Sequence, residues 1–131
     1  MTNRDLSLSS IEGPWKSEGP IKSRLERRCR DLYEVPVKKL EPRDLRVLIN
    51  QKIGTETLIP IALRLLDANP WLEGDLYPGD LLCAILRVER EFWLKNPTLH
   101  SELGSIMSLV KSIKRTLDDE VVPAWVRIER L

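Results

Sequence analysis

Leu58-Ile59-Pro60-Ile61-Ala62-Leu63-Arg64-Leu65-Leu66 is the stretch on which the reading of the fold turns. Arg64 is its only charged residue, so a helix drawn through it carries apolar side chains on nearly every face, the pattern of a helix buried on most sides. Thr57 is the expected N-cap, since that places Pro60 in the first turn, where backbone N–H groups lack an intrahelical partner in any case. No run of β-branched residues anywhere in the chain alternates convincingly with polar ones, as a half-buried strand requires. The segment therefore predicts the central helix of an all-α fold.

Upstream, Glu41-Pro42 opens a helix with proline at a position that needs no N–H, and Leu45, Leu48, Ile49 and Ile53 line one face of it before Gly54. Ile21, Leu25, Cys29 and Leu32 step by four, four and three, predicting an amphipathic first helix that stops before Pro36. Arg24, Arg27, Arg28 and Arg30 make its outer face basic. Residues 1–20 carry Gly13-Pro14 and Gly19-Pro20, which predict an extended or turning arm, with Ile11 and Trp15 pinning it to the domain.

Downstream, Asn69-Pro70-Trp71-Leu72-Glu73-Gly74-Asp75-Leu76-Tyr77 reads as a structured loop, and Pro78 marks the start of a fourth helix. Leu81, Ile85, Val88 and Phe92 share one face of that helix, which ends near Asn96-Pro97. Asp75 and Asp80 stand where a carboxylate would favour a helix N-terminus. A fifth helix starts at Pro97 or Thr98, with Leu99, Leu103, Ile106, Val110, Ile113 and Leu117 spaced by alternating fours and threes. The stripe spans fewer than three heptads, so it predicts a bundle seam in preference to a free coiled coil. Pro123 is expected to break the helix, leaving residues 124–131 as a short tail helix or an extended strap carrying Trp125. The expectation is one helical domain over residues 1–131, a bundle of about five helices with an irregular arm over residues 1–20.

The 131 residues are 42% hydrophobic, enough for a real core, and 21 basic against 20 acidic side chains leave a net charge of +1. No bulk attraction to nucleic acid or to anionic membrane follows from that balance. No apolar run approaches the length of a membrane span and the N-terminus lacks the apolar stretch of a signal peptide, so a soluble cytoplasmic protein is expected. Cys29 and Cys83 are too few for a zinc ribbon or a disulfide framework, and read as reduced, buried thiols.

Residues that could carry catalysis are sparse. His100 is the single histidine, with no patterned nucleophile beside it. The acidic residues between Asp67 and Asp80 lack the order of a calcium loop, and the glycines form no phosphate-cradling motif, so neither metal nor cofactor is expected. Glu73, Asp75 and Asp80 would suit acid–base chemistry only in a pocket that sequence proximity does not supply; helix capping and a solvated loop account for them more simply. No catalytic residue is assigned.

Charge is uneven along the chain. From Lys22 to Arg46 bases outnumber acids by nine to five, whereas from Leu65 to Leu86 stand Asp67, Glu73, Asp75 and Asp80 with no base at all. Trp71 and Tyr77 lie in that acidic stretch and belong to the residue types enriched at binding hot spots. Asp118, Asp119 and Glu120 form a second acidic cluster, read as the C-terminal end of the fifth helix, where negative charge opposes the helix dipole. The alternative reading, a small nucleic-acid-binding regulator, sets the basic first helix against phosphates, but Glu26, Asp31 and Glu34 interrupt it, and a solvated face is the simpler reading.

The central strings Asp44-Leu45-Arg46-Val47-Leu48-Ile49-Asn50-Gln51, Ile53-Gly54, Leu58-Ile59-Pro60-Ile61-Ala62-Leu63, Asn69-Pro70, Gly74-Asp75-Leu76-Tyr77-Pro78-Gly79-Asp80-Leu81-Leu82 and Phe92-Trp93 resemble the bacterial immunity proteins of contact-dependent growth inhibition systems. Weaker echoes lie in Ile11-Glu12-Gly13, Trp15 and Arg28-Cys29, so the resemblance covers most of residues 11–97. It implies a small, cytoplasmic, non-enzymatic protein that binds and neutralises the toxin domain, frequently a nuclease, at the C-terminus of a large surface-displayed effector. The chain departs from the resemblance at Gly54-Thr55-Glu56-Thr57 and at Trp71, which reads as a place for specificity. Most of the matching residues are Pro, Gly, capping Asp and core Leu, which have structural work to do. The toxin interface is therefore expected on exposed charged and aromatic positions: Asp67, Trp71, Glu73, Asp118, Asp119 and Glu120.

Overall fold

The computed structural model describes residues 5–16 and 19–131, and every described regular element in it is helical. Residues 1–4, Ser17 and Glu18, all within the expected arm, lie outside the described residues. The chain divides into two compact units, residues 1–90 and 91–131.

The first unit opens on α1, Leu8–Glu12, where an extended arm was expected. Ser7 caps it, its Oγ accepting from the Ser10 N–H at 3.2 Å, and Gly13 ends it at φ 98°. The helix forms because Leu8 is fully buried and holds the short segment down. The Val37 N–H donates to the Leu6 carbonyl at 2.9 Å, so the arm is tied to the chain just after α2, Arg24–Tyr33. As expected, Trp15 pins it further, packing edge-on to Tyr33 at 5.3 Å between ring centroids, and the Tyr33 hydroxyl donates to the Gly13 carbonyl at 2.8 Å.

A 3-10 turn, Val37–Lys39, leads into α3, Pro42–Asn50, which starts where Glu41-Pro42 indicated. The Asp44 carboxylate accepts from the Glu41 N–H at 2.9 Å and satisfies a donor at the helix start. The central helix α4 spans Thr55–Ala68 and begins two residues before the expected cap. Gly54, at φ 68°, turns the chain directly into it, so Thr57 is helical and its hydroxyl instead donates to Glu12 at 2.8 Å. Pro60 consequently lies inside α4. Leu58, Ile59, Ala62, Leu63 and Leu66 are buried, and α3 packs on α4 and α5, Asp80–Leu86.

The expected fourth helix is in fact two. After α5 the N–H groups of Arg87 and Val88 bond three residues back, to Ala84 and Ile85, tightening the last turn and closing the helix. A new helix, α6, follows at Arg90–Lys95. No glycine or proline marks this break.

In the second unit α7 runs over Pro97–Thr116, with Asn96 as N-cap and Pro97 at its first position. Leu103 and Ile106 are buried, Val110 and Ile113 half-buried, and Leu117 exposed, so the apolar stripe emerges to the surface as it proceeds. Pro123 does not end the helical run. Leu117–Val121 forms a π turn, with the Val122 N–H donating to the Leu117 carbonyl, and α8, Val122–Val126, continues from it. A proline ring clashes with the carbonyl four residues earlier in a regular α-helix; the wider turn makes room for it. Asp118, Asp119 and Glu120 thus occupy the π turn inside a longer helical run, and not a helix terminus where the dipole would act on them.

Candidate functional site

Asp80 organises the acidic loop of the first unit. Although it opens α5, its carboxylate turns back into the loop, accepting from the backbone N–H groups of Gly74 and Leu76, the latter at 2.9 Å. Its side chain is 1% exposed, and Arg46 Nε stands 3.5 Å away. Burial alone pushes this carboxyl up, but the backbone N–H groups of the loop and the Arg46 charge outweigh it and hold Asp80 below the usual carboxylate range. Arg46 also donates to the Gly74 carbonyl at 2.8 Å, locking the loop to α3 from a second direction.

The rest of the loop is built outward from that anchor. The Trp71 N–H donates to the Asn69 side-chain oxygen at 3.1 Å, and the Trp71 carbonyl accepts from the Gly79 N–H at 3.1 Å. Gly79 has φ 91°, and a Cβ there would come within 2.8 Å of the Trp71 ring, so only glycine permits the indole to lie over it. Asp75 sits at φ 96° on the exposed crest and caps no helix, contrary to the expectation for it. Trp71, Glu73, Asp75, Leu76 and Tyr77 are all exposed, Trp71 by 42% and Leu76 by 64%. Asp67 is exposed at the end of α4. Wide apolar surface and carboxylates are therefore presented together on a backbone fixed from within.

The six positions expected at the interface fall into two groups. Asp67, Trp71 and Glu73 belong to this loop and its approach; Asp118, Asp119 and Glu120 belong to the second unit, where Asp118 accepts a 2.6 Å bond from Lys114. All six are exposed. Sequence reasoning missed Leu76 as surface and Arg46 as the partner of Asp80, and no spacing rule would have joined residues 46 and 80.

No group of His, Cys, Asp or Glu able to hold a metal occurs among the described residues. A cleft of about 280 Å³ is lined by Glu12, Trp15, Lys16, Tyr33, Lys52, Ile53 and Gly54. Its polar groups are largely committed to the fold: Glu12 accepts from Thr57, Tyr33 donates to Gly13, and Lys52 pairs with Glu89 at 2.8 Å. On the basic helix α2, Arg24, Arg27 and Arg30 are exposed, while Arg28 pairs with Asp44 at 3.5 Å. No described helix is long and apolar enough to cross a membrane.

A family model described as CDI immunity proteins matches residues 11–103. The chain belongs to the CDI immunity protein family. Neither a curated protein nor a solved structure matches it. The matched region takes in the last two residues of α1, α2 to α6, the start of α7 and the whole Asp80-centred loop, and it ends before the π turn and α8. Membership makes this an immunity protein against a CDI toxin, so the partner to be accounted for is a protein.

Proposed function

We propose that this immunity protein acts without catalysis, in the cytoplasm of the cell it protects, by covering the active or substrate-binding surface of its cognate toxin domain with the acidic loop of its first unit. The observation that carries the reading is the loop itself. Asp67, Glu73 and Asp75 project negative charge beside exposed Trp71, Leu76 and Tyr77, and the buried Asp80–Arg46 pair holds the backbone that presents them. A nuclease toxin offers the complement, since a surface that binds nucleic acid is basic. Arginine or lysine side chains of such a surface gain both carboxylate partners and an aromatic face.

Two tests follow. Association with the cognate toxin domain should approach about 10⁸ M⁻¹s⁻¹ at low salt and slow as salt rises. Combined Asp67→Lys and Glu73→Lys should slow association at least about tenfold, with unfolding unchanged, because both side chains are exposed. Asp75→Asn is the suitable third change, since asparagine tolerates the positive φ there better than lysine. An association rate insensitive both to salt and to these reversals would remove the loop from the interface.

A further inference from the structure

The second unit presents an apolar helix face that the loop-based reading leaves unused. Along α7, the π turn and α8, the positions Val110, Ile113, Leu117, Val121, Trp125 and Ile128 recur by threes and fours. Val110 and Ile113 are half-buried, whereas Leu117, Val121, Trp125 and Ile128 are 40% to 54% exposed. The π turn accommodates one extra residue, which keeps Trp125 in line with the residues before Pro123.

Two features of this face point to its occupant. First, it reads nearly the same in both directions from Leu117: Ile113 and Val121 lie four residues away, and Val110 and Trp125 seven and eight. Second, charge changes sign at the same place. Lys111, Lys114 and Arg115 precede Leu117, and Asp118, Asp119 and Glu120 follow it. Within one helix this order is the weaker one, because a lysine placed before its acid at i,i+4 is the less favourable orientation. Laid antiparallel against a second copy, with Leu117 facing Leu117, each basic block runs alongside the acidic block of its partner. Lys114, which bonds Asp118 of its own chain at 2.6 Å, is three residues before the centre and is then level with the other copy's Glu120, three residues after it. A parallel arrangement would set like charges together.

We propose that this face self-associates, two copies pairing antiparallel about a two-fold axis at Leu117. Such an interface is isologous and closes at two copies. The paired stripe from Val110 to Trp125 is about 23 Å long at 1.5 Å per residue. That is short for a coiled coil, so association is weak and depends on concentration.

The test uses the full chain in sedimentation velocity between about 5 and 200 µM. Wild type should pass from monomer towards dimer over that range, and Leu117→Asp should remain monomeric with an unchanged far-ultraviolet spectrum. A chain carrying Lys111→Glu, Lys114→Glu and Arg115→Glu, and another carrying Asp118→Lys, Asp119→Lys and Glu120→Lys, should each weaken self-association about tenfold, yet pair with one another when mixed. Recovery on mixing separates pairing between chains from any effect on one helix. Wild type that stays monomeric at 200 µM, a dimer that survives Leu117→Asp, or failure of the two charge variants to pair would each overturn the proposal. None of these outcomes bears on toxin binding by the first unit.

Discussion

Asp80→Asn isolates the interaction that holds the acidic loop. The substitution keeps the shape of the side chain but replaces a carboxylate, whose two oxygens accept from Gly74 and Leu76, with an amide that has only one oxygen. Whichever way the amide turns, its NH₂ group faces a backbone N–H. One bond to a charged acceptor is lost, at about 1.5–3 kcal/mol, and the surviving bonds drop to neutral strength, at about 1 kcal/mol more. Arg46, with its side chain only 13% exposed, keeps its bond to the Gly74 carbonyl but loses its counter-charge. The expected destabilisation is about 3–5 kcal/mol, a large share of the roughly 5–15 kcal/mol available to a domain, and it should lower Tm by about 10–20 °C. Urea and thermal unfolding followed by circular dichroism read this directly.

The same substitution makes a pH prediction. The folded carboxyl is held below its unfolded value of 3.8, so its contribution is fully present above that value and is lost as pH falls through it towards the folded value. The stability difference between wild type and Asp80→Asn should be flat from about pH 5 to 8 and should close below about pH 4. A difference under about 1 kcal/mol at pH 7, or one that stays constant down to pH 3, would refute the account of the loop.

Two further substitutions test how the first unit is joined to its arm. Gly54→Ala would bring a Cβ to 2.8 Å from both δ-carbons of fully buried Leu8, at a φ of 68° that disfavours alanine. It should cost about 2–3 kcal/mol in urea unfolding, combining the left-handed penalty with displacement of Leu8. Tyr33→Phe removes the hydroxyl that donates to Gly13 while leaving the edge-on contact with Trp15. A loss of about 1 kcal/mol is expected, with faster proteolysis confined to residues before α2, since the arm is held there by local contacts.

The helical class was legible because Leu58 to Leu66 and the stripe of α7 repeat at the helical period, and because Glu41-Pro42 and Asn96-Pro97 mark starts chemically. What stayed hidden depended on tertiary partners. α1 is too short to show a period, and it exists because Leu8 is buried against distant residues, Gly54 among them. The break between α5 and α6 carries no breaker residue. Pro123 was misleading for the opposite reason: a proline disfavours an α turn without forbidding it, as Pro60 inside α4 shows, a π turn accommodates it, and single-residue propensities do not distinguish these outcomes. The loop's exposed residues were legible as a charge and aromatic pattern, while the carboxylate that fixes them was expected to serve a helix end.

That last difference bears on how the immunity protein would bind. A nine-residue loop that orders only on contact would spend much of its interaction energy on lost conformational freedom, at about 1–2 kcal/mol per residue fixed. Asp80, Arg46 and Gly79 meet that cost during folding, so Trp71, Glu73 and Tyr77 are displayed on a backbone already in place. The division separates two kinds of position within one short string. Changes at Asp80 or Gly79 should lower stability and toxin affinity together, because they release the backbone. Changes at Glu73 should lower affinity alone, because its side chain is exposed, whereas Trp71→Ala, which also uncovers Gly79, should lower affinity by more than it lowers stability. Pairwise measurement of unfolding free energy and toxin affinity across these four positions decides the matter: if Trp71→Ala and Glu73→Lys bind as wild type does while Asp80→Asn binds poorly, the loop is a structural brace and the toxin docks elsewhere.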